Sequence, residues 1–228
     1  MTGNKKEDKH MSEVMKFEDY KQYLNPVFAK QTDLVAKKAR GCYLWDVNGE
    51  KYLDFVQGIA VNALGHCFPP IVEAVKEQVG NLIDASFNLV NYESTLKLAK
   101  KLTSVAPEGL SQVFFTNGGA EATDSALKMA MAYSGRAAGI AFMGSFHGRT
   151  CGATSITGSN SKYRRHYEGL MGKVYFAPYP GRDLCPPEIP ADKRGEYSLF
   201  ELNKLLRYIV SPEDVAYIYM EPVMGEGG

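Results

Sequence analysis

The chain has 228 residues, 45% of them hydrophobic, and its 26 basic residues are balanced by 26 acidic ones. This length and apolar content suffice for one large domain with a buried core, or for one domain with an appendage. The balanced charge gives no reason to expect nucleic acid or an anionic membrane as a partner, which leaves a small polar metabolite as the open interpretation.

Targeting signals and cysteine spacing point to an intracellular setting. Residues 1–13 are polar and charged without an apolar core, so they do not read as a secretory signal, and no later run has the length of a membrane span. Cytoplasmic localisation is therefore expected. The four cysteines are scattered without Cys-x-x-Cys spacing, which favours reduced thiols over a disulfide framework or a zinc site, and no metal site is predicted.

The first part of the chain is predicted to contain an arm, a hairpin and two helices. Residues 1–12 have too few apolar side chains to offset the entropy of ordering them, so a disordered arm is predicted. The alternating pattern from Gly41 to Ile59 surrounds Asn48-Gly49, a strong hairpin signal, and predicts a two-stranded ribbon. Two prolines predict a helix over residues 69–79, ended by the glycine that follows, and a second helix is predicted over Ser94–Thr103.

Further along the chain, short β-rich runs alternate with helical patterns. The predicted strands are Gln112–Phe115, Gly139–Met143, Val174–Ala177 and Val215–Glu221, and the predicted helices are Ala120–Tyr133 and Leu199–Ile209. Alternation of this kind predicts a mostly parallel α/β sheet. Residues 155–172, which are polar and basic, and the proline-rich residues 178–190 are predicted to be long surface loops.

The segment Thr116–Ala122 (Thr-Asn-Gly-Gly-Ala-Glu-Ala) follows a predicted strand and opens a predicted helix. Its glycines allow backbone N–H groups to approach an anion closely, and the positive end of the helix dipole favours negative charge. The pattern is neither the Gly-x-x-x-x-Gly-Lys-Ser/Thr loop of nucleoside triphosphatases nor Gly-x-Gly-x-x-Gly. Taken alone, it is either an ordinary turn or a phosphate-binding turn.

Two further segments follow apolar strands, at the strand ends where open α/β sheets place their ligands. The first is Ser145–Thr150 (Ser-Phe-His-Gly-Arg-Thr), whose arginine offers a planar, permanently charged fork for a carboxylate or forms a surface salt bridge. The second is Glu221–Gly228 (Glu-Pro-Val-Met-Gly-Glu-Gly-Gly), whose two carboxylates alone suggest acid–base chemistry or a metal. Both segments are predicted to lie at the ligand-binding edge of the sheet.

In this order and spacing the three segments resemble the class III, or ω-amino-acid, aminotransferases, and the resemblance runs from about Asn25 to Gly228. It implies fold type I of the pyridoxal-phosphate-dependent transferases, with pyridoxal phosphate as the cofactor. Residues 13–68 then correspond to an N-terminal segment of the small domain, which contains the hairpin. Residues 69–228 correspond to the large cofactor-binding domain, whose mostly parallel sheet is expected to be incomplete at its C-terminal end.

The resemblance implies cofactor contacts for six residues. Those matching the positions that receive the cofactor phosphate are Gly118, Gly119 and Ala120. Phe146 matches an aromatic residue, often tyrosine, that stacks on the pyridine ring, and His147 matches a histidine near that ring. Glu221 resembles a glutamate that packs against the cofactor and its ring-nitrogen aspartate.

Three residues match substrate-binding positions. Arg149 matches the arginine that takes the distal carboxylate of the substrate in 4-aminobutyrate aminotransferases, and Ile59 matches a small-domain residue of the same pocket. Glu226 resembles the gate glutamate, which pairs with a second, downstream arginine and releases it for α-carboxylates. Met224 stands where many relatives carry glutamine, a departure that affects hydrogen bonding at the cofactor edge.

No catalytic residue is assigned within the chain. In the family, the aspartate of the ring nitrogen and the Schiff-base lysine both lie downstream of the Gly-Glu-Gly-Gly segment, beyond Gly228. The lysines predicted to lie on solvated helix faces are Lys97, Lys100, Lys101 and Lys128. Three hypotheses follow: a fragment of a transaminase that is inactive alone, a half-enzyme completed by a separately encoded C-terminal half, or a catalytically inactive binding or regulatory module.

The resemblance implies that the full enzyme moves an amino group from an ω-amino acid such as 4-aminobutyrate to 2-oxoglutarate. Its partners are then a small amino acid and a 2-oxo acid, with neither nucleic acid nor a membrane. Acetylornithine and ornithine transaminases share most of these motifs and stay open as the alternative. Because fold type I sites are built across a dimer in relatives, a homodimer is expected of the full enzyme.

Overall fold

The computed structural model describes residues 14–27, 30–167, 169 and 172–227 of the 228-residue chain. The chain separates into two compact units, one running to Leu98 and the other beginning at Ala99. The predicted arm over residues 1–12 lies outside the described residues, and the predicted domain division at residue 69 stays a prediction. Within the described residues, no helix combines the length and the apolar character that crossing a membrane requires.

The first unit contains a three-stranded antiparallel sheet. Its strands, in spatial order, are β1 (Ala36–Arg40), β2 (Tyr43–Asp46) and β3 (Lys51–Leu53). The turn between β2 and β3 is secured by Asp46, whose Oδ1 accepts the N–H groups of Asn48 and Glu50 at 2.9 Å each. The predicted ribbon is therefore confirmed. β1 adds a third strand that its charged sequence does not signal, because main-chain hydrogen bonds to β2 hold it rather than an alternating apolar pattern.

The α-helical segments that begin among the described residues of this unit are α1 (Phe17–Tyr20), α2 (Gln57–Ala60), α3 (Pro69–Asn81) and α4 (Glu93–Val105). α3 and α4 confirm the two predicted helices. The predicted end of α3 at residue 79 is wrong, because Gly80 does not adopt a positive φ and the helix continues to Asn81. α2 is a single turn with positive φ at all four residues, so it has the left-handed sense that L-residues rarely adopt.

The second unit is built on a three-stranded parallel sheet. β4 (Ala138–Phe142) lies between β5 (Val174–Ala177) and β6 (Val215–Ile218). The helices that accompany the sheet are α5 (Gly119–Ser134), α6 (Cys151–Ile156) and α7 (Arg194–Tyr208). The predicted parallel α/β fold is confirmed, and each strand and helix predicted from residue 120 onward overlaps one of these elements.

β4 is the centre of the core. All five of its residues are buried, as expected for a parallel strand covered on both faces. Ala141 packs on one face with side chains of α5 and α6, whereas Ile140 and Phe142 pack on the other face with β5 and α7. The core therefore fixes the carboxyl end of β4, where the second predicted motif begins.

Two predictions about the second unit need correction. The strand predicted over Gln112–Phe115 is wrong, because residues 112–116 carry no regular secondary structure and none of the described strands pairs with them. Their apolar sequence suits a strand, but a strand also needs a hydrogen-bonded neighbour. The long loop predicted over residues 155–172 is partly wrong, since α6 continues to Ile156 and a 3-10 turn forms over Ser161–Tyr163. Residues 178–190 form no helix or strand, as predicted.

Candidate active site

The glycine turn before α5 forms an open helix N-terminus. Gly118 is the N-cap in an extended conformation, and Gly119 begins a helix of 16 residues. A Cβ atom added at either glycine would meet open space, and neither residue has a positive φ, so neither packing nor backbone strain requires glycine here. The first N–H groups of a helix have no intrahelical acceptor and carry partial positive charge. The open space beside them fits a phosphate that approaches the backbone closely.

The chain's own side chains fix the conformation of this turn. Glu121 accepts the N–H of Asn117 on its Oε2 at 2.7 Å, and the Thr116 hydroxyl donates to the carbonyl oxygen of Gly118 at 3.1 Å. A carboxylate in the first turn also interacts favourably with the helix dipole. The turn is therefore ordered through contacts within four residues of itself.

Gly148 brings the second predicted motif against this turn. Its φ of 126° lies in the region that favours glycine, and a Cβ atom there would lie 2.7 Å from Ala120 Cβ and 3.0 Å from Ala153 Cβ. The missing side chain lets the loop after β4 touch the first turn of α5 directly. The predicted phosphate turn and the predicted carboxylate arginine thus share one edge of the sheet.

His147 is held by two threonine hydroxyls. Its main-chain N–H donates to Thr157 Oγ1 at 3.1 Å, and its main-chain carbonyl oxygen accepts from Thr123 Oγ1 at 3.1 Å. The ring is buried, with its centroid 4.8 Å from that of Tyr219, and no described residue bonds to its Nε2. Burial lowers the pKa of His147, and the charge of Glu221 opposes part of that shift, so the site favours the neutral form of the imidazole. Among the described residues, the buried Nε2 is therefore left without a hydrogen-bond partner, and the predicted cofactor contact of His147 stays a prediction.

Glu221 links the loops that follow β4 and β6. Its Oε2 accepts the N–H of Phe146 at 2.9 Å, and its Oε1 accepts the N–H of Gly225 at 3.2 Å. Hydrogen bonds to an ionised carboxylate are stronger than neutral ones. Glu221 thus fixes the main chain that carries Phe146, while its predicted packing against the cofactor stays a prediction.

Arg149 is exposed and lies over two aromatic rings. Its guanidinium carbon is 5.5 Å from the ring centroid of Phe146 and 5.9 Å from that of Tyr163. None of the ion pairs formed by the described residues involves Arg149, so the surface salt bridge considered from the sequence is not found among them. Cation–π contacts orient a guanidinium through its face and leave its N–H donors for a carboxylate.

Glu226 is bound by two hydroxyls. Ser159 Oγ donates to its Oε2 at 2.6 Å, and Tyr163 OH donates to its Oε1 at 2.8 Å. Both donors belong to the segment that the sequence predicts as a surface loop. Asn160, whose side chain accepts the N–H of Lys162, is the local signal for an ordered turn there. No sequence pattern, however, pairs Tyr163 with Glu226.

Asp124 is a second residue that the sequence does not single out. It accepts the hydroxyl of Thr150 at 2.9 Å and the N–H of Ala153 at 2.7 Å, so α5 supplies a cap for the first turn of α6. Gly152 leaves room for it, since a Cβ atom there would lie 2.6 Å from Asp124 Oδ1. An aspartate on a helix usually reads as a solvated charge, and only the fold reveals this contact.

Eight of the nine predicted site residues lie in the second unit, at the N-terminus of α5 or after β4 and β6: Gly118, Gly119, Ala120, Phe146, His147, Arg149, Glu221 and Glu226. The ninth, Ile59, belongs to α2 of the first unit, where it is 82% exposed with a φ of 63°. The four lysines predicted on solvated helix faces are all exposed, as expected: Lys97, Lys100, Lys101 and Lys128.

These features define an α/β protein in which the N-terminus of α5 and the loop that carries His147 and Arg149 meet at the carboxyl edge of a parallel sheet, where folds of this kind bind their ligands. The chain belongs to the aminotransferase class-III family, whose model matches residues 26–228. This membership confirms the resemblance drawn from the three motifs and supports pyridoxal phosphate as the cofactor of the family fold.

Curated relatives carry several different substrate names. The chain is 42% identical over 208 residues to an acetylornithine aminotransferase of Archaeoglobus fulgidus, covering 91% of this chain and 48% of that relative. It is 38% identical over 190 residues to a 2-aminoadipate transaminase of Pseudomonas putida, covering 83% and 44%. It is 34% identical over 206 residues to the 4-aminobutyrate aminotransferase GabT of Escherichia coli, covering 90% and 45%. The chain therefore spans about half the length of the curated relatives it matches.

Solved aminotransferases share the fold. A taurine:2-oxoglutarate aminotransferase from Bifidobacterium kashiwanohense, in complex with PLP and glutamate, is similar with a TM-score of 0.80 at 30% identity, over 93% of this chain and 49% of that one. An adenosylmethionine-8-amino-7-oxononanoate aminotransferase from Methanocaldococcus jannaschii gives a TM-score of 0.73 at 28% identity, over 89% and 45%. The predicted fold type I is confirmed.

Proposed function

We propose that the chain supplies the cofactor-phosphate and substrate-carboxylate part of an aminotransferase site, in a protein that moves an amino group from an ω-amino acid such as 4-aminobutyrate to 2-oxoglutarate. The observation that carries this proposal is the contact between Gly148 and Ala120, which joins the phosphate turn to the loop of Arg149. Pyridoxal phosphate, when bound, supplies the electron sink for the proton loss that amino transfer requires.

Different residues of the chain bind the cofactor phosphate, the cofactor ring and the substrate carboxylate. The N–H groups of the turn Gly118–Ala120 hold the phosphate, and each hydrogen bond to a charged group contributes about 1.5–3 kcal/mol. Phe146 offers an aromatic face to a planar ring, and His147 offers a neutral ring nitrogen beside it. Arg149 binds the substrate carboxylate through two parallel N–H donors. The cofactor phosphate and the substrate carboxylate are thereby bound at the same edge of the sheet, because Gly148 lies against Ala120.

We further propose that the family's cofactor lysine and ring-nitrogen aspartate come from outside these 228 residues, in the same polypeptide or in a separately encoded half. The complete enzyme is proposed to be a cytoplasmic homodimer. Reduction of the chain with borohydride in the presence of pyridoxal phosphate, followed by peptide mass spectrometry, tests the first point. Scattered or absent labelling supports it, whereas one stoichiometric adduct on a single lysine contradicts it and identifies a catalytic residue.

The phosphate turn is tested by equilibrium dialysis with pyridoxal 5′-phosphate and with pyridoxal. The phosphorylated compound should bind at least about tenfold more tightly, since a single charged hydrogen bond contributes about 1.5–3 kcal/mol. Gly118→Asp should abolish this preference, because aspartate is a favourable N-cap and places its own anion at the turn. Gly195→Asp is the matched control, since Gly195 is an exposed glycine in the first turn of α7 with open space at its Cβ.

The control decides how a loss of binding is understood. Loss in the Gly118 variant alone supports the phosphate turn. Equal affinity for the two compounds, or an equal loss in both variants, contradicts it.

Acetylornithine or ornithine transamination is the second candidate function, favoured by the 42% identity to the Archaeoglobus fulgidus relative. Saturation-transfer NMR with the cofactor-loaded chain compares 4-aminobutyrate with N-acetylornithine. Stronger binding of 4-aminobutyrate that is lost in Arg149→Gln supports the first candidate, whereas stronger binding of N-acetylornithine supports the second. Binding of pyridoxal phosphate without either amino acid indicates a non-catalytic binding or regulatory module.

A further inference from the structure

One phenol ring contacts both charged groups of the candidate substrate pocket. Tyr163 packs edge-on against Phe146, with ring centroids 5.2 Å apart and an interplanar angle of 66°. The guanidinium of Arg149 lies over the same phenol ring, and the phenol hydroxyl donates to Glu226 at 2.8 Å. Tyr163 therefore contacts a cation through its ring and an anion through its hydroxyl.

The backbone that presents this ring is fixed to the end of β4. The N–H of Gly158 donates to the carbonyl oxygen of Ser145 at 2.8 Å, and its carbonyl oxygen accepts the N–H of Gly144 at 3.0 Å. The side chain of Asn160 then accepts the N–H of Lys162 at 3.0 Å and caps the 3-10 turn that ends at Tyr163. The two hydroxyls that reach Glu226 are thus presented from an ordered segment.

The two charged groups that contact Tyr163 have opposite signs. Arg149 and Glu226 are both exposed, they contact the same tyrosine, and neither takes part in an ion pair with a described residue. A mobile carboxylate near a guanidinium pairs with it and occupies the donors that a substrate carboxylate needs. In the structure, both oxygens of Glu226 instead accept from neutral hydroxyls, those of Ser159 and Tyr163.

We propose that Tyr163, assisted by Ser159, is a positioning residue that holds Glu226 away from Arg149 and so keeps the guanidinium available for a carboxylate ligand. This inference rests on the proposed role of Arg149 and deepens it. Without the Tyr163 hydroxyl, the carboxylate of Glu226 takes the place of a carboxylate ligand at the guanidinium of Arg149.

The first test measures binding of glutarate, a five-carbon dicarboxylate, to the full chain by NMR titration in the presence of pyridoxal phosphate. Tyr163→Phe should weaken binding about two- to fivefold, the range expected when an exposed ion pair of up to about 1 kcal/mol competes. The double variant Tyr163→Phe/Glu226→Gln should restore the original affinity, since no competing anion is left. Tyr167→Phe, at a ring that is 52% exposed, is the matched control and should bind as the unaltered chain does.

Failure of the rescue overturns the proposal. If the double variant binds as weakly as Tyr163→Phe, the hydroxyl acts on the ligand or on the fold and not through Glu226. Lys162 provides another contrary outcome, because its amino group lies 4.9 Å from the Tyr163 ring centroid and could capture the released carboxylate. Glutarate binding would then stay unchanged in Tyr163→Phe.

A second test separates this inference from the proposed function. The Nε–Hε NMR signal of Arg149, assigned with Arg149→Lys, reports whether the guanidinium is ion-paired even when no ligand binds. In Tyr163→Phe the signal should shift and exchange more slowly with water, and Glu226→Gln in the same chain should reverse both changes. If the Arg149 signal is unchanged in Tyr163→Phe, the inference is overturned. If the affinity for glutarate is unchanged in Arg149→Gln, only the proposed function is overturned.

Discussion

The two units of the chain bury their side chains to very different extents. Among the described residues up to Leu98, Asp46 is the only buried one, whereas β4 alone contributes five buried residues to the second unit. The first unit leaves large apolar side chains such as Ile83 and Leu89 at 80% and 84% exposure. Its elements are therefore specified by turns and main-chain hydrogen bonds, while those of the second unit are specified by a shared core. The difference predicts where a substitution will be felt.

The largest expected effect is a core truncation in the second unit. Ile140→Ala should lower the free energy of unfolding by about 2–5 kcal/mol, because Ile140 is fully buried and the truncation leaves a cavity at the centre of the sheet. Ile83→Ala removes the same atoms from an exposed site and should change the free energy of unfolding by less than about 0.5 kcal/mol. Urea unfolding followed by circular dichroism measures both. Comparable losses in the two variants would show that the first unit has a core of equal weight.

The same contrast explains which parts of the fold can be predicted from the sequence. The ribbon at Asn48-Gly49 and the helix that starts at Pro69 carry their own local signals, so they are recognised without knowledge of the rest. β1 and residues 112–115 show where prediction from the local sequence fails, because a strand forms only beside a hydrogen-bonded neighbour that the local sequence does not reveal. The charged β1 pairs with β2, while the apolar segment 112–115 pairs with none of the described strands.

The candidate site likewise has one part that the sequence predicts and one part that it does not. Its motifs indicate the functional side chains, because a glycine turn before a helix and an arginine after an apolar strand have direct chemical meaning. The groups that position these side chains are not indicated. Thr157 and Thr123 reach His147 across 10 and 24 residues, and Tyr163 reaches Glu226 across 63, so only the folded chain reveals these partners.

A second substitution compares two glycines with positive φ, one in each unit. Gly148→Ala should lower the free energy of unfolding by about 2–4 kcal/mol, because it adds steric overlap with Ala120 to the cost of the φ angle. Gly49→Ala, at a φ of 92° with open space around its Cβ, should incur only the conformational cost, about 1 kcal/mol. Differential scanning calorimetry of both variants provides the measurement. Equal losses would mean that the contact between Gly148 and α5 adds nothing to stability.

A third substitution removes one hydroxyl while keeping the side-chain shape. Thr157→Val leaves the buried N–H of His147 without its acceptor and should lower the free energy of unfolding by about 1–3 kcal/mol. Thr32→Val removes an acceptor from the exposed N–H of Leu34, which water can replace, so a change below about 0.5 kcal/mol is expected. Unfolding of the two variants in guanidinium chloride measures the difference between their losses of stability. A large effect at Thr32 would contradict the view that local bonds in the first unit are individually weak.

The smallest expected effect is a local pH dependence in the first unit. The Asp54 carboxylate accepts a hydrogen bond from the His66 ring at 2.7 Å and accepts the N–H groups of Gln57 and Val56 at 3.0 and 2.9 Å. These bonds, the one to His66 foremost, hold the pKa of Asp54 below its usual value. Because the folded pKa is lowered, the stabilisation is complete above the ordinary aspartate pKa of about 4 and is lost as the pH falls through the lowered value.

Hydrogen exchange at the amides of Val56 and Gln57 measures this loss at the entry to the left-handed turn α2. Protection should decrease as the pH falls below about 4, once the intrinsic pH dependence of exchange is subtracted, and Asp54→Asn should remove the decrease. The amide of Met143, which bonds to the carbonyl oxygen of Ala177 in the second unit, should show no parallel change. If protection at Met143 fell together with that at Gln57, the two units would open in one cooperative step, and the contrast between a locally specified unit and a core-specified one would not hold.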